Sequence, residues 1–155
     1  MWRGLILAMA ILPGAALACP DYDLAARENY HVQAEWMREP LGFYVIAGGR
    51  FNLADCPDVT LAAEAPGFFE DGPDFSFQLS GLAGRRLILS VRSECDAALL
   101  INTASGSWLY DDDGNPDSEG DPRIVLTRPA DGRLDLWVGS HEAQGCRARL
   151  TLQAR

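Results

Sequence analysis

The sequence predicts an all-β protein, an antiparallel β-sandwich or barrel of about nine or ten short strands. The first observation is that apolar and polar residues alternate with a period of two, as in residues 75–80, which is typical of half-buried strands. The second is the regular spacing of turn residues, such as Gly48-Gly49 and Asp131-Gly132, between these runs. The third is the absence of any long segment with a helical period.

Each predicted strand is a short alternating or apolar run between two turns. In chain order the strands are residues 30–36, 43–47, 51–53, 75–80, 87–91, 97–101, 108–110, 124–126, 134–138 and 146–152. Residues 21–28 have room for one or two helical turns, and residues 55–73, the longest irregular piece, are expected to form a surface connection. Trp137 has the opposite parity to its apolar neighbours, which places it outside or in a second layer.

Residues 1–18 have the layout of a secretory signal peptide. A positively charged start precedes an apolar run, and Ala16-Leu17-Ala18 supplies the small residues of a cleavage site. The run is too short to span a bilayer comfortably, which takes about 20 apolar residues. We therefore expect export, cleavage after Ala18, and a single periplasmic or extracellular domain over residues 19–155.

The net charge is −9, with 22 acidic residues against 13 basic ones, all of them Arg. An acidic domain is a poor ligand for polyanions, so nucleic acid and anionic lipid are not expected as partners. Arg147 and Arg149 share one face of the last strand, and pairing of that strand with residues 134–138 would make an ordinary charged sheet face opposite Arg133 and Asp135.

The four cysteines are even in number, as expected for two disulfides in an oxidising compartment. Cys95 and Cys146 both continue the inward parity of their strands, which favours a Cys95–Cys146 bridge and leaves Cys19–Cys56. A lipoprotein would use Cys19 for its anchor, but Ala16 stands where Leu is usual, and lipidation would leave an odd number of cysteines.

The segment richest in residues that could bind an ion is an acidic loop at residues 111–121. It holds six carboxylates, and a hard cation such as Ca²⁺ would relieve their repulsion. The spacing is not that of an EF-hand, and a solvated turn is the alternative. Asp96 could reach the loop if residues 97–101 and 108–110 form a hairpin. The candidate Ca²⁺ ligands are Asp96, Asp111, Asp112, Asp113, Asp117 and Glu119.

The sequence offers few catalytic patterns. His31 is expected to be exposed and His141 to lie in a loop, and neither a nucleophile elbow nor a zinc-protease motif occurs. Trp36, Trp108 and Trp137 could line a sugar- or peptide-binding surface or pack in the core.

Four segments together resemble the bacterial pre-peptidase C-terminal domain: residues 75–79, 95–102, 106–114 and 130–139. They carry an Asp before an aliphatic run, a Gly that leads to an Asp-Asp loop, and a Gly-led alternating strand. The resemblance covers residues 74–153, and residues 43–56 look like small exported proteobacterial proteins that carry this domain alone. The chain departs from the family in having four cysteines and, within these residues, no protease domain.

The resemblance implies a non-catalytic, jelly-roll-like β-sandwich of a kind usually appended to secreted proteases. It is similar to collagen-binding modules, some of which bind calcium, and Asp96, Asp111, Asp112 and Asp113 match its acidic motif. We expect a secreted binding or accessory module whose partner is a protein or a glycan. The alternatives are a small hydrolase that uses paired carboxylates, and an ion-free structural or inhibitory envelope protein.

Overall fold

The computed structural model describes residues 18–155, so the predicted signal peptide lies outside the described residues apart from Ala18. The regular secondary structure of the described chain is almost entirely strand, which confirms the predicted all-β class. Its strands are β1 (Glu28–Gln33), β2 (Leu41–Ala47), β3 (Phe51–Asn52), β4 (Phe68–Phe69), β5 (Phe75–Ser80), β6 (Leu87–Ser93), β7 (Ala97–Asn102), β8 (Trp108–Asp111), β9 (Arg123–Leu126), β10 (Gly132–Ser140) and β11 (Cys146–Ala154). Two short 3₁₀ helices span Ala34–Met37 and Leu53–Asp55.

The strands form two sheets that pack face to face. Sheet A has seven strands centred on β10, which pairs with β5 and β4 along one edge and with β7 along the other. Strand β1 extends sheet A beyond β5, β8 extends it beyond β7, and β3 pairs with β4. Sheet B has the order β2-β11-β6-β9 and is antiparallel throughout. Only the β1–β5 pair is parallel among the described strands.

The main core lies between the two sheets, where the inward residues of each alternating strand meet. Phe77 and Leu136 of sheet A and Leu89 and Leu150 of sheet B are completely buried there. Full burial of such a side chain is worth roughly 1.5–3 kcal/mol. The period-two pattern is therefore the main source of the fold, because it assigns one face of every strand to this core.

A second core covers the outer face of sheet A over β7 and β10. The outward residues Ala98, Leu100 and Trp137 are completely buried beneath an irregular stretch, residues 53–67, which we call the cover segment. The prediction that residues 55–73 form a surface connection is wrong, because Val59 and Ala65 are buried in this cluster. The sequence predicted that Trp137 lies either outside or in a second layer, and the structure places it in the second layer.

Both predicted disulfides are present, Cys19–Cys56 and Cys95–Cys146. The first ties the start of the described chain to the cover segment. The second joins the bend that follows β6 to the first residue of β11. The expectation that Cys95 lies within a strand is wrong, because β6 ends at Ser93 and Cys95 is only partly buried.

Two further local predictions need correction. The first predicted strand ends at Gln33 and not at Trp36, because residues 34–37 turn as a 3₁₀ helix that buries Ala34 and Met37 and leaves Trp36 56% exposed. Residues 21–28 form a turn that leads into β1, without helix. No helix in the described part of the chain is long and apolar enough to cross a membrane.

Candidate functional site

The acidic loop connects β8 to β9 and is closed by its own first carboxylate. Asp111 Oδ2 accepts hydrogen bonds from the backbone N–H of Gly114 at 2.8 Å and of Arg123 at 2.7 Å. A carboxylate that accepts two backbone N–H groups holds the two ends of a turn together. Asp111 therefore has a structural role, whether or not an ion is bound.

Asp112 and Asp96 lie on either side of His141, which follows β10 in a bend as predicted. The imidazole Nε2 is 3.2 Å from Asp112 Oδ2, and Nδ1 is 3.6 Å from Asp96 Oδ2. The Tyr110 hydroxyl donates to Asp112 at 3.2 Å. Burial first, and the charge of Asp112 second, raise the pKa of Tyr110 well above its ordinary value. The hairpin of β7 and β8, on which the predicted approach of Asp96 depended, is confirmed.

The remaining carboxylates of the loop are dispersed. Asp113 and Glu119 are exposed, and Asp117 is 3.9 Å from Arg123 Nη1. Asp121 is buried and accepts hydrogen bonds from the hydroxyls of Ser93 and Ser118. Among the described residues, no three His, Cys, Asp or Glu side chains form a group that could hold a metal ion. Calcium binding by this loop stays a prediction.

The tryptophans do not form the predicted surface. Trp137 is completely buried, and its ring centroid lies 5.2 Å from that of Trp108, which is itself partly covered by Tyr22 at 5.9 Å. Trp137 therefore belongs to the second core and is unable to contact a ligand directly. Trp36 is exposed but stands apart from this cluster.

The outer face of sheet B is the exposed surface that stands out in the described structure. It carries four arginines from three strands beside two exposed apolar side chains of β2. We call this set the arginine face; it consists of Tyr44, Ile46, Arg92, Arg123, Arg147 and Arg149. Tyr44 is 80% exposed and Ile46 is 58% exposed, the two highest values among the large apolar side chains of the described chain.

Strand register brings like charges together on this face. Arg149 lies directly opposite Arg92 on one side and Tyr44 on the other, and its guanidinium carbon is 5.8 Å from the centre of the Tyr44 ring. Like charges in a directly opposite pair destabilise a sheet. Gly42 makes room for this guanidinium, because a Cβ there would collide with it. Arg149 therefore leans over β2 towards the edge of the sheet.

The arginines of this face have few carboxylate partners. Within residues 18–155, no carboxylate oxygen lies within the 4 Å of an ion pair from Arg92, Arg147 or Arg149, and Arg123 has only Asp117, at 3.9 Å. A groove of about 340 Å³ runs between three of them and the hydroxyls of Ser90 and Thr151. Guanidinium groups bind carboxylates with two parallel hydrogen bonds, so this surface is suited to acidic ligands.

The strand pairing considered for Arg147 and Arg149 from the sequence does not occur. Strand β11 does not pair with β10, because the two strands lie in different sheets. The partners of Arg147 and Arg149 are Ile46 and Tyr44 on β2. The alternation of Arg147 and Arg149 with inward apolar residues over 146–152 indicates that both arginines face outward. Which strands lie beside them is known only from the structure.

A second groove, of about 480 Å³, opens between β2 and the start of β1 and β5. Its floor includes Asp74, which is only 4% exposed and accepts a 2.8 Å hydrogen bond from the Val138 N–H. Burial raises the pKa of Asp74 to about 6, although the Val138 N–H and Arg27, whose Nε is 3.7 Å away, favour the ionised form. We call this the β2 groove.

The β2 groove also bears on the hydrolase alternative, because it holds two carboxyl groups. Both are already engaged with the protein, Asp74 with Val138 and Arg27, and Glu28 with the hydroxyl of Tyr30. General acid–base chemistry needs a group within hydrogen-bond reach of a substrate. The groove therefore gives the hydrolase alternative little support.

Comparison with known proteins adds a likeness of fold. No family model matches the chain, and no curated protein matches it significantly. One similar solved structure is PliG of Aeromonas hydrophila, a periplasmic lysozyme inhibitor of g-type lysozyme, at 12% identity and a TM-score of 0.45, covering 84% of this chain and 100% of that one. Another is the pre-peptidase C-terminal domain of collagenase from Bacillus anthracis, at 10% identity and a TM-score of 0.45, covering 85% and 98%.

The second of these structures is a domain of the family that the sequence resembles. At this identity and TM-score, neither likeness carries an argument about what the chain binds. The function is therefore argued from its own surfaces.

Proposed function

We propose that this chain is an exported, non-catalytic module that binds an acidic surface of a partner protein through the arginine face. The observation that carries the proposal is the exposure of Tyr44 and Ile46 beside Arg147 and Arg149, which have no carboxylate partner in residues 18–155. Tyr and Arg are enriched where proteins bind one another, and charged pairs around an apolar centre set the orientation.

The composition of the face favours a protein over a glycan as partner. An exposed aliphatic side chain such as Ile46 gains free energy only against another apolar group. The adjoining guanidinium groups pair best with carboxylates. A partner surface with apolar residues flanked by Asp or Glu satisfies both, and it is consistent with the overall charge of −9 because the attraction is local to one sheet.

Export is supported by the two disulfides, which persist in oxidising compartments and are rare in the cytosol. The bridge to the cover segment fixes the second core, and the Cys95–Cys146 bridge fixes β11, which carries two of the arginines. Formation of the two disulfides therefore stabilises the strand that carries part of the proposed binding face.

The experiment is a heteronuclear NMR titration of the oxidised protein with poly-L-glutamate at low salt, with poly-L-lysine in a parallel titration. We expect poly-L-glutamate to shift the amide signals of residues 42–46, 90–92 and 147–151. Poly-L-lysine is expected to leave these residues unshifted. Shifts by poly-L-lysine alone, centred on residues 111–121, would contradict the proposal and favour a cationic partner at the acidic loop.

Calcium ordering of the acidic loop is a separate proposal, supported by the number of carboxylates in residues 111–121. An ion present at about 100 times its Kd stabilises the folded state by about 2.7 kcal/mol. Thermal melting in Ca²⁺ and then in EDTA measures this effect, and Asp111→Asn combined with Asp113→Asn should abolish it. Equal melting temperatures in Ca²⁺ and EDTA would end the calcium proposal and leave the arginine face untouched.

A further inference from the structure

Strand β2 is an edge strand with no protection against pairing. It has one hydrogen-bonded neighbour, β11, and its seven residues include neither a charged residue nor a proline. Native proteins shield an exposed edge with charges, prolines, bulges or very short strands, because unpaired N–H and C=O groups are a template for another strand. An edge of this length and composition is expected to have a partner.

The other edge strands in the described structure are very short or carry charged residues. Strand β3 has two residues, and β9 has four and begins at Arg123. Strand β8 is also four residues long and ends at Asp111. Strand β1 carries Glu28 and His31. The absence of protection is therefore specific to β2.

The β2 groove provides the space that an added strand needs. Residues 44–46 line one side of it, and Arg27, Glu28 and Phe75 line the other. Neighbouring strands lie about 4.8 Å apart, so a strand added to β2 would run along this opening. Arg149 already leans over β2 above Gly42, within reach of an acidic side chain on the outer face of such a strand.

We infer that an extended, acidic segment of the partner polypeptide adds as a fifth strand to sheet B along β2. Main-chain hydrogen bonds to β2 supply the affinity, and carboxylates that meet Arg147 and Arg149 supply the selectivity, as in other cases of strand addition. This inference rests on the proposed function, because it names how the partner binds at the arginine face. It adds that the bound segment is a strand and not a folded surface.

Charge argues against a second copy of this chain as the occupant. Pairing two β2 strands would bring two arginine faces side by side and would join two molecules of net charge −9. Like charges next to one another oppose such an interface. An acidic strand removes the repulsion that Arg149 and Arg92 exert on each other, whereas a second copy increases it.

The test uses the peptide Thr-Glu-Val-Glu-Val-Glu-Thr, blocked at both ends, and the same peptide with its interior amides N-methylated. N-methylation keeps the side chains and charges and removes the N–H donors that strand pairing needs. We expect the first peptide to bind, to slow hydrogen exchange of alternate amides in residues 41–47, and to bind at least tenfold more tightly than its N-methylated form. The matching peptide with Lys for Glu is expected to bind at least tenfold more weakly.

Each other outcome overturns the inference in a recognisable way. Equal binding of the N-methylated peptide, with poly-L-glutamate still shifting the arginine face, would exclude strand addition and leave the proposed function intact. Equal binding of the Lys peptide would exclude an acidic occupant. Dimerisation with β2 amides already protected in the free protein would assign the edge to a second copy. If poly-L-glutamate shifts nothing, the proposed function itself fails.

Discussion

The two sheets of this protein differ most in their outer faces. The outer face of sheet A is sealed over β7 and β10, because the cover segment buries Trp137 and Leu100 and the Cys19–Cys56 bridge fastens this segment. The outer face of sheet B has no such cover, and Tyr44 and Arg149 lie open to solvent. An apolar outer face is covered by the chain itself, whereas a face of arginines with two apolar side chains remains free for another molecule.

The difference between the two outer faces predicts that substitutions under the cover segment change stability, whereas substitutions on the arginine face change binding. Side chains buried under the cover segment should contribute strongly to the free energy of unfolding, as those of the main core do, while side chains of the arginine face should contribute little to it. A large-to-small change in a packed core costs both transfer free energy and the cavity that it leaves. Surface substitutions away from caps and networks usually change stability by less than about 0.5 kcal/mol.

The largest effect is expected from Trp137→Ala. It removes the central side chain of the second core and should lower the free energy of unfolding by about 3–5 kcal/mol. Trp36→Ala is the matched control, because Trp36 is 56% exposed and its loss should cost less than about 1 kcal/mol. Urea unfolding of both variants measures the contrast. Equal losses would show that the cover segment does not seal a packed core.

The next effect is expected from Cys19→Ser combined with Cys56→Ser. Losing this bridge should cost about 2–4 kcal/mol and loosen the cover segment, so that iodide quenches the fluorescence of Trp137 and its neighbour Trp108 more strongly. A Trp36→Phe background removes the exposed tryptophan from the signal. Cys95→Ser with Cys146→Ser should cost a similar amount without extra quenching, because that bridge lies away from the second core. Equal quenching in both double variants would contradict a local role for Cys19–Cys56.

Asp74 gives an effect of intermediate size that depends on pH. Burial raises its pKa from 3.8 to about 6, so the fold prefers the neutral acid. Its stabilising contribution is complete below pH 3.8 and is lost as pH rises through about 6. Asp74→Asn stays neutral and can still accept the Val138 N–H. The difference in stability between variant and parent should therefore grow from pH 4 to pH 7, by up to about 3 kcal/mol in favour of the variant.

Melting curves of the two proteins at half-unit pH steps measure this difference. Other acids titrate equally in both proteins, so the comparison isolates Asp74. A difference that stays constant across the range would show that the Asp74 carboxyl titrates with its ordinary pKa.

The smallest effect on stability is expected from Arg149→Ala. The change relieves the like-charge pair with Arg92 and loses the contact with Tyr44, so the two terms oppose each other and the net change should stay within about 0.5 kcal/mol. Urea unfolding measures it. A loss above 2 kcal/mol would mean that the arginine face holds sheet B together and was not free for a partner.

Most of sheet B and the centre of sheet A could be predicted from the sequence. Period-two alternation located β5, β6, β10 and β11, and strand parity paired Cys95 with Cys146 correctly. The same reasoning failed at residues 34–37, where Ala34 and Met37 are three apart and turn inward together as a 3₁₀ helix. The alternation of apolar and polar residues continues to Trp36 in the sequence, but residues 34–37 do not form a strand.

The second core and the arginine face could not be predicted because both depend on which strands share a sheet. The cover segment has no period, and its apolar residues are recognised only by their contact with Trp137 and Leu100. Arg147 and Arg149 become a surface only when β11 is placed between β2 and β6. Local patterns state which face a residue takes, but not what lies opposite that face.

The most direct test of the account compares poly-L-glutamate binding by two charge-reversed proteins. One carries Arg147→Glu and Arg149→Glu; the other carries Arg85→Glu and Arg128→Glu, which change the net charge equally at positions outside the arginine face. We predict that calorimetric titration at low salt shows binding at least tenfold weaker in the first protein and within twofold of the parent in the second. Equal loss in both would show that only net charge matters and would contradict a dedicated binding face on sheet B.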